Sequence, residues 1–162
     1  MGGMSLMLSS GSTKMISASP ARKAAMICVS ALFLWFTLDM TGFRLGDFLL
    51  VTSAISGEPI DVAWWVIFLV TLILFIAREK IGRWCLFAFL AIWGCVIQYP
   101  MYFSAHDGIE RYNALFRDTY HLFPPSDTIL VKDFYHTALD ILIGLSLILA
   151  VVYNSKFGSG QR

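Results

Sequence analysis

Residues 84–105 read WCLFAFLAIWGCVIQYPMYFSA, an unbroken run of 22 residues without a charge. A helix needs about 20 predominantly apolar residues to cross the hydrocarbon core of a bilayer. The run shows no sustained alternation of apolar and polar positions, which argues against a strand of a membrane barrel. It reads as a transmembrane helix, and three other stretches share its character. Residues 24–38 carry no charge, and the apolar run continues past Asp39 to Phe43. Residues 62–77 are almost purely apolar, and residues 134–153 contain one charge, Asp140. The pattern predicts an all-α integral membrane protein with four transmembrane helices, at about 24–43, 61–77, 84–103 and 134–153.

The whole chain agrees. Of its 162 residues, 57% are hydrophobic and 14% charged, where a soluble domain carries about 25% charged residues. This balance excludes a disordered chain, a disulfide-stapled secreted module and a basic nucleic-acid binder. The expected partners are the lipid bilayer and, because four helices rarely enclose a transport path, further copies of the chain or another membrane protein. The three cysteines, Cys28, Cys85 and Cys95, all fall inside predicted spans and read as small buried hydrophobes.

Charge placement predicts the orientation. Eight of the twelve Lys and Arg residues lie on one side: Lys14, Arg22 and Lys23 before the first span, Arg78, Lys80 and Arg83 between the second and third, Lys156 and Arg162 after the fourth. The positive-inside rule puts both termini in the cytoplasm. Residues 1–20, rich in Ser, Gly and Met, read as a mobile cytoplasmic tail; 21–156 form the membrane domain and 157–162 a short second tail. The lack of an organelle address points to a bacterial cytoplasmic membrane.

The two outer connections, 44–60 and 104–133, are the long ones, where function is expected. In the first, Asp47 is predicted to cap a short helix from Phe48 to about Ile55, ended by Gly57-Glu58-Pro59. In the second, Asp107 and Glu110 have capping-box spacing, and Ile109, Tyr112, Leu115, Phe116, Tyr120 and Phe123 recur at three- and four-residue intervals. That pattern predicts an amphipathic helix of about 14 residues across the mouth of the bundle, ended by Pro124-Pro125. Asp133 then caps span four.

Asp140 is the most informative residue. An ionisable group inside a span costs about 2.5–3.5 kcal/mol on insertion scales, so it should face protein or water. His136 lies four residues earlier, and the stripe Asp133, His136, Asp140, Gly144 points into the bundle. Three readings compete: a structural hydrogen-bonded pair, a proton-relay, ion or substrate site in an outward cavity, or a metal site. A metal would need further ligands from His121, Asp118, His106 or Asp39; no zinc motif is present and none is predicted. Asp39 near the end of span one and Gln98 at similar depth in span three are candidates for the same cavity, with a headgroup-solvated acid as the simpler reading of Asp39. His121 and Asp118, three residues apart, are candidates for a lid, or else for a solvated helix face. Pro100 is expected to kink span three. Gly144, Ala88, Ala91 and Gly94 offer surfaces for close helix approach.

No phosphate-binding, nucleophile-elbow or dinucleotide motif occurs, so no catalytic residue and no cofactor are assigned. The leading expectation is a non-enzymatic solute-, ion- or lipid-binding component with an outward polar pocket, or an accessory subunit of a transport or envelope complex. One alternative is a membrane enzyme acting on a lipid-like substrate, with Asp140 and His136 as an acid–base pair and Asp39 as an electrostatic stabiliser. The other is a structural scaffold.

Overall fold

Helix α1 (Pro20–Thr41) begins where a helix should. Ser19 accepts a hydrogen bond from the Arg22 amide at 3.3 Å, and a proline occupies the first turn. Gly42 ends it with φ +71°, a backbone angle that favours glycine. The computed structural model describes residues 19–56, 59–103, 106–124, 126 and 128–159; the tip of the first long connection lies outside them, as does the predicted tail except Ser19 and Pro20, which belong to the start of α1. Helix α2 (Pro59–Ala77) and helix α3 (Glu79–Ala91) form a hairpin. The link expected at 78–83 is a single residue, Arg78, whose amide bonds the Leu74 carbonyl at 2.8 Å. Gly82 permits this closeness, because a Cβ there would overlap the Leu74 carbonyl.

Helix α3 does not end at Ala91. It widens into a π-helical turn (Ile92–Gln98) and tightens into a 3-10 turn (Tyr99–Phe103). Pro100 lies in the 3-10 turn; it has no amide N–H and cannot close an ordinary helical bond there. Helix α5 (Phe134–Ser159) completes the set. Four helical stretches, Pro20–Thr41, Pro59–Ala77, Glu79–Phe103 and Phe134–Lys156, are long and apolar enough to cross a membrane, and each overlaps an expected span.

Helix α1 packs chiefly on α5, and α3 on both α2 and α5. The middle of the bundle is aromatic. Phe68 stacks on Phe89 with ring centroids 4.9 Å apart, and Phe36 packs on Trp93 at 4.7 Å. Gly94 and Gly144 do serve close approach: a Cβ on Gly94 would stand 3.0 Å from Ile143 Cγ2, and one on Gly144 would stand 2.8 Å from the Tyr99 hydroxyl. Ala88 and Cys95 face outward instead. Cys95 is thus not a buried hydrophobe, and Cys28 and Cys85 are half-buried. At one end of the bundle Tyr153 and Arg22 both bind Glu79, the latter at 3.6 Å.

The other end holds the two long connections, and both differ from expectation. Residues 48–55 are not a helix. Strand β1 (Phe43–Leu45) and strand β2 (Phe48–Val51) form an antiparallel hairpin, with Leu45 opposite Phe48. Gly46 has φ +59° at the first position of the two-residue turn, which matches the twist of a tight hairpin. Only a 3-10 turn, Ala54–Ser56, follows. The amphipathic helix α4 (His106–Leu115) is shorter than its apolar pattern. Beyond it the chain turns so that Thr119 bridges Leu49, the Tyr120 amide bonds the Leu49 carbonyl at 2.9 Å, and the Phe134 amide bonds Tyr120 O at 2.8 Å. Pairing with the hairpin outweighs continuation of the helix.

Candidate functional site

A cavity of about 490 Å³ opens at this loop end. All four candidate spans contribute to its wall, with Asp39 from α1, Asp61 from α2, Gln98 from the π-helical turn and His136 from α5. Helix α4 adds Arg111 and Tyr112. Three of the six residues singled out from the sequence therefore share one cavity: Asp39, Gln98 and His136. Asp140 does not line it. Asp118 is exposed on the turn after α4, and His121 is half-buried with Nδ1 2.8 Å from the Thr119 carbonyl oxygen; neither reaches the cavity.

His136 and Asp140 lie on one face of α5 but do not bond each other. Each has a different partner. Asp133 caps α5 by accepting the His136 amide at 2.8 Å, and its Oδ1 also lies 2.7 Å from His136 Nδ1. Its other oxygen accepts the Thr119 hydroxyl at 2.8 Å. Burial pushes the Asp133 carboxyl up, but the hydrogen bonds and charge of His136, with the Thr119 hydroxyl, more than offset this and hold it below the usual carboxylate range. An ionised Asp133 accepts a proton-bearing Nδ1, which leaves Nε2 as the ring nitrogen open to a ligand.

Asp140 pairs with Lys132. The Nζ–Oδ2 distance is 2.8 Å, and the two side chains are 1% and 8% exposed. The same oxygen accepts the Tyr102 hydroxyl at 2.7 Å, and the Tyr102 ring lies 4.6 Å from Lys132 Nζ. The Tyr99 hydroxyl donates to the Asp140 carbonyl at 3.1 Å. Burial pushes the Lys132 ammonium below its ordinary value, against the upward pull of Asp140. Lys132 also donates to Gln98 Oε1 at 3.2 Å. Gln98 thus touches the ion pair through its oxygen, and its NH₂ is left for the cavity. The amide is the link between the cavity and the buried charges behind it.

Tyr112 is the other notable group. It is 5% exposed, it lines the cavity, and its hydroxyl is buried with no hydrogen-bond partner among the described residues. Burial, with Asp133 and Asp140 nearby, pushes this phenol up, so it remains an O–H donor. Its ring packs on Phe116 at 4.4 Å, and Phe116 lies edge-on to His136 at 4.5 Å.

Lys132, Tyr112, Tyr102 and Thr119 were not singled out from the sequence. Lys132 falls in the outer connection 104–133, outside the predicted spans. One signal pointed to it: residues 132, 136 and 140 are spaced by four, so the polar stripe extends one turn further back. Among the described residues no group of three or more His, Cys, Asp or Glu could hold a metal ion, and the side chain of His106 lies outside them. The chain matches no known protein family, no curated protein and no solved structure.

Proposed function

We propose that this chain is a non-enzymatic multi-pass membrane component that binds a small polar solute in the loop-end cavity. The basic residues at the opposite end of the bundle favour an outward-facing cavity under the positive-inside rule. One observation carries the reading: four spans converge on a cavity whose wall includes Tyr112, a residue whose buried hydroxyl has no hydrogen-bond partner among the described residues. A buried polar group left unsatisfied costs about 1–3 kcal/mol, which a ligand with a matching acceptor recovers. The wall offers further donors in the Gln98 NH₂ and Arg111, acceptors in the carboxyl groups of Asp39 and Asp61, and His136 Nε2, which donates or accepts according to the protonation of the ring. That set suits a small molecule bearing both kinds of group. A ligand that accepts from the Gln98 NH₂ would polarise the amide whose oxygen accepts from Lys132, and so couple the cavity to the ion pair.

Native mass spectrometry of the protein released gently from its own membrane tests this. The reading expects one small molecule per chain, retained by wild type and lost in Gln98→Ala and weakened in Tyr112→Phe. A bare wild-type chain, or equal retention in both variants, contradicts it. The Asp133–His136 pair favours one second reading, a membrane enzyme in which Nε2 acts as a base. In that case turnover of a lipid-like substrate would vanish in His136→Gln while ligand retention survived.

A further inference from the structure

The charges on the wall of the loop-end cavity are not balanced. Its ionisable lining is Asp39, Asp61, Arg111 and His136. With the imidazole neutral, two carboxylates stand against one guanidinium. Asp39 belongs to the last turn of α1 and Asp61 to the first turn of α2. Both act electrostatically on the Tyr135 hydroxyl, so the two carboxylates share one neighbourhood. The carbonyls at the end of α1 add partial negative charge beside Asp39, and no basic residue occupies that turn. Arg111 comes from another element, α4; it is exposed and forms no ion pair among the described residues. A cation and two acids therefore border one space of about 490 Å³ without Arg111 pairing with either acid.

The rest of the wall decides what kind of cation the acids suit. No group of three or more His, Cys, Asp or Glu among the described residues could hold a metal ion. Ile60, Ile97 and Met101 give the lining carbon surface, which suits the body of an organic molecule.

We propose that the cavity ligand is a small amino-carboxylate zwitterion, with its ammonium on Asp39 and Asp61 and its carboxylate on Arg111. A guanidinium donates paired hydrogen bonds to a carboxylate. Each aspartate offers about four lone-pair sites, so it accepts an ammonium beside any partner it already has. A simple anion would meet two like charges, and a neutral polyol would leave all three without a counter-charge. The assignment rests on the solute-binding reading above, which it narrows to one class of ligand.

Calorimetric titration of the full chain in detergent micelles tests it. The probes are glycine and γ-aminobutyrate as zwitterions of two lengths, butylamine, butyrate and glucose. Wild type is expected to bind a zwitterion tightest, butylamine more weakly, and butyrate and glucose not at all. Arg111→Gln is expected to weaken the zwitterion about tenfold, as loss of a charged hydrogen bond does, and to leave butylamine unchanged. That variant should keep its fold, because the side chain is exposed and makes no ion pair among the described residues. Asp39→Asn and Asp61→Asn are each expected to weaken the zwitterion and butylamine alike. Binding of butyrate or glucose in place of the amines overturns the proposal, and so does an Arg111→Gln variant that binds the zwitterion as wild type does. A wild type that binds none of the probes overturns it too. Native mass spectrometry then separates the two failures: a retained small molecule of another class leaves the cavity reading standing, and a bare chain ends that reading as well.

Discussion

The middle of the bundle and its loop end are held by opposite kinds of interaction. In the middle, Phe36, Phe68, Phe89 and Trp93 pack ring on ring, and the contacts depend on volume. At the loop end, Tyr102 and Gln98 close a polar cluster around the buried Lys132–Asp140 pair, and every contact in it depends on a particular partner. Damage to the middle should therefore stay local and irreversible. Damage to the loop end should be repairable by removing the partner as well.

The largest effects test this directly. Phe68→Ala should cost about 3–5 kcal/mol through the cavity it leaves. Asp140→Ala should cost a similar amount, about 3–5 kcal/mol, for a different reason: it strands the Lys132 ammonium away from water. The double variant Lys132→Met/Asp140→Leu should recover most of the second loss, and no single partner change should recover the first. Denaturant unfolding in detergent micelles reads all three. If the double variant is as unstable as Asp140→Ala, the stranded charge is not the cause.

An intermediate effect is expected at Asp133. Hydrogen bonds to a charged group contribute about 1.5–3 kcal/mol, so Asp133→Asn should cost about that much at neutral pH. The sign with pH follows from its lowered folded-state value. A carboxyl held below its unfolded value of 3.8 adds stability above that pH. The contribution is lost as pH falls through the folded value. Melting temperature should thus fall below about pH 4 in wild type, and Asp133→Asn should flatten that slope. An unchanged slope would mean that Asp133 is not ionised in the folded protein.

The smallest effect carries the opposite sign. Tyr112→Phe removes a buried hydroxyl that has no partner among the described residues. In the ligand-free protein it should raise stability by about 1 kcal/mol. Calorimetry on purified protein checks this, and a destabilised variant would show that the hydroxyl is already satisfied.

The contrast also marks what the sequence could show. The spanning stretches were legible because burial in lipid needs only length and apolar composition. The inward face of α5 was legible from the four-residue spacing of His136 and Asp140, and so was the Asp133 cap. The partners of those residues were not. Lys132 stands two residues before α5, and whether its side chain turns to solvent or into the bundle depends on Gln98 and Tyr102, some thirty residues away in sequence. The hairpin was missed because Asp47 also reads as a helix cap, and Phe48-Leu49-Leu50-Val51 is too short and apolar to show a period, although Gly46-Asp47 is a recognised hairpin turn pair. Helix α4 was read too long because Tyr120 and Phe123 continue its spacing. Tertiary pairing of Thr119 with Leu49 decides its end.

The central claim is that Gln98 and His136 face a water-filled cavity open to one side of the membrane, with Asp140 walled off behind it. Single cysteines at 98, 136 and 68, placed in a chain with its three native cysteines removed, can be probed with a membrane-impermeant thiol reagent on sealed vesicles of known orientation. The account predicts labelling of Gln98→Cys and His136→Cys from the outer face alone, and none of Phe68→Cys from either face. Protection of positions 98 and 136 from both faces, or labelling of position 68 alongside them, would contradict it.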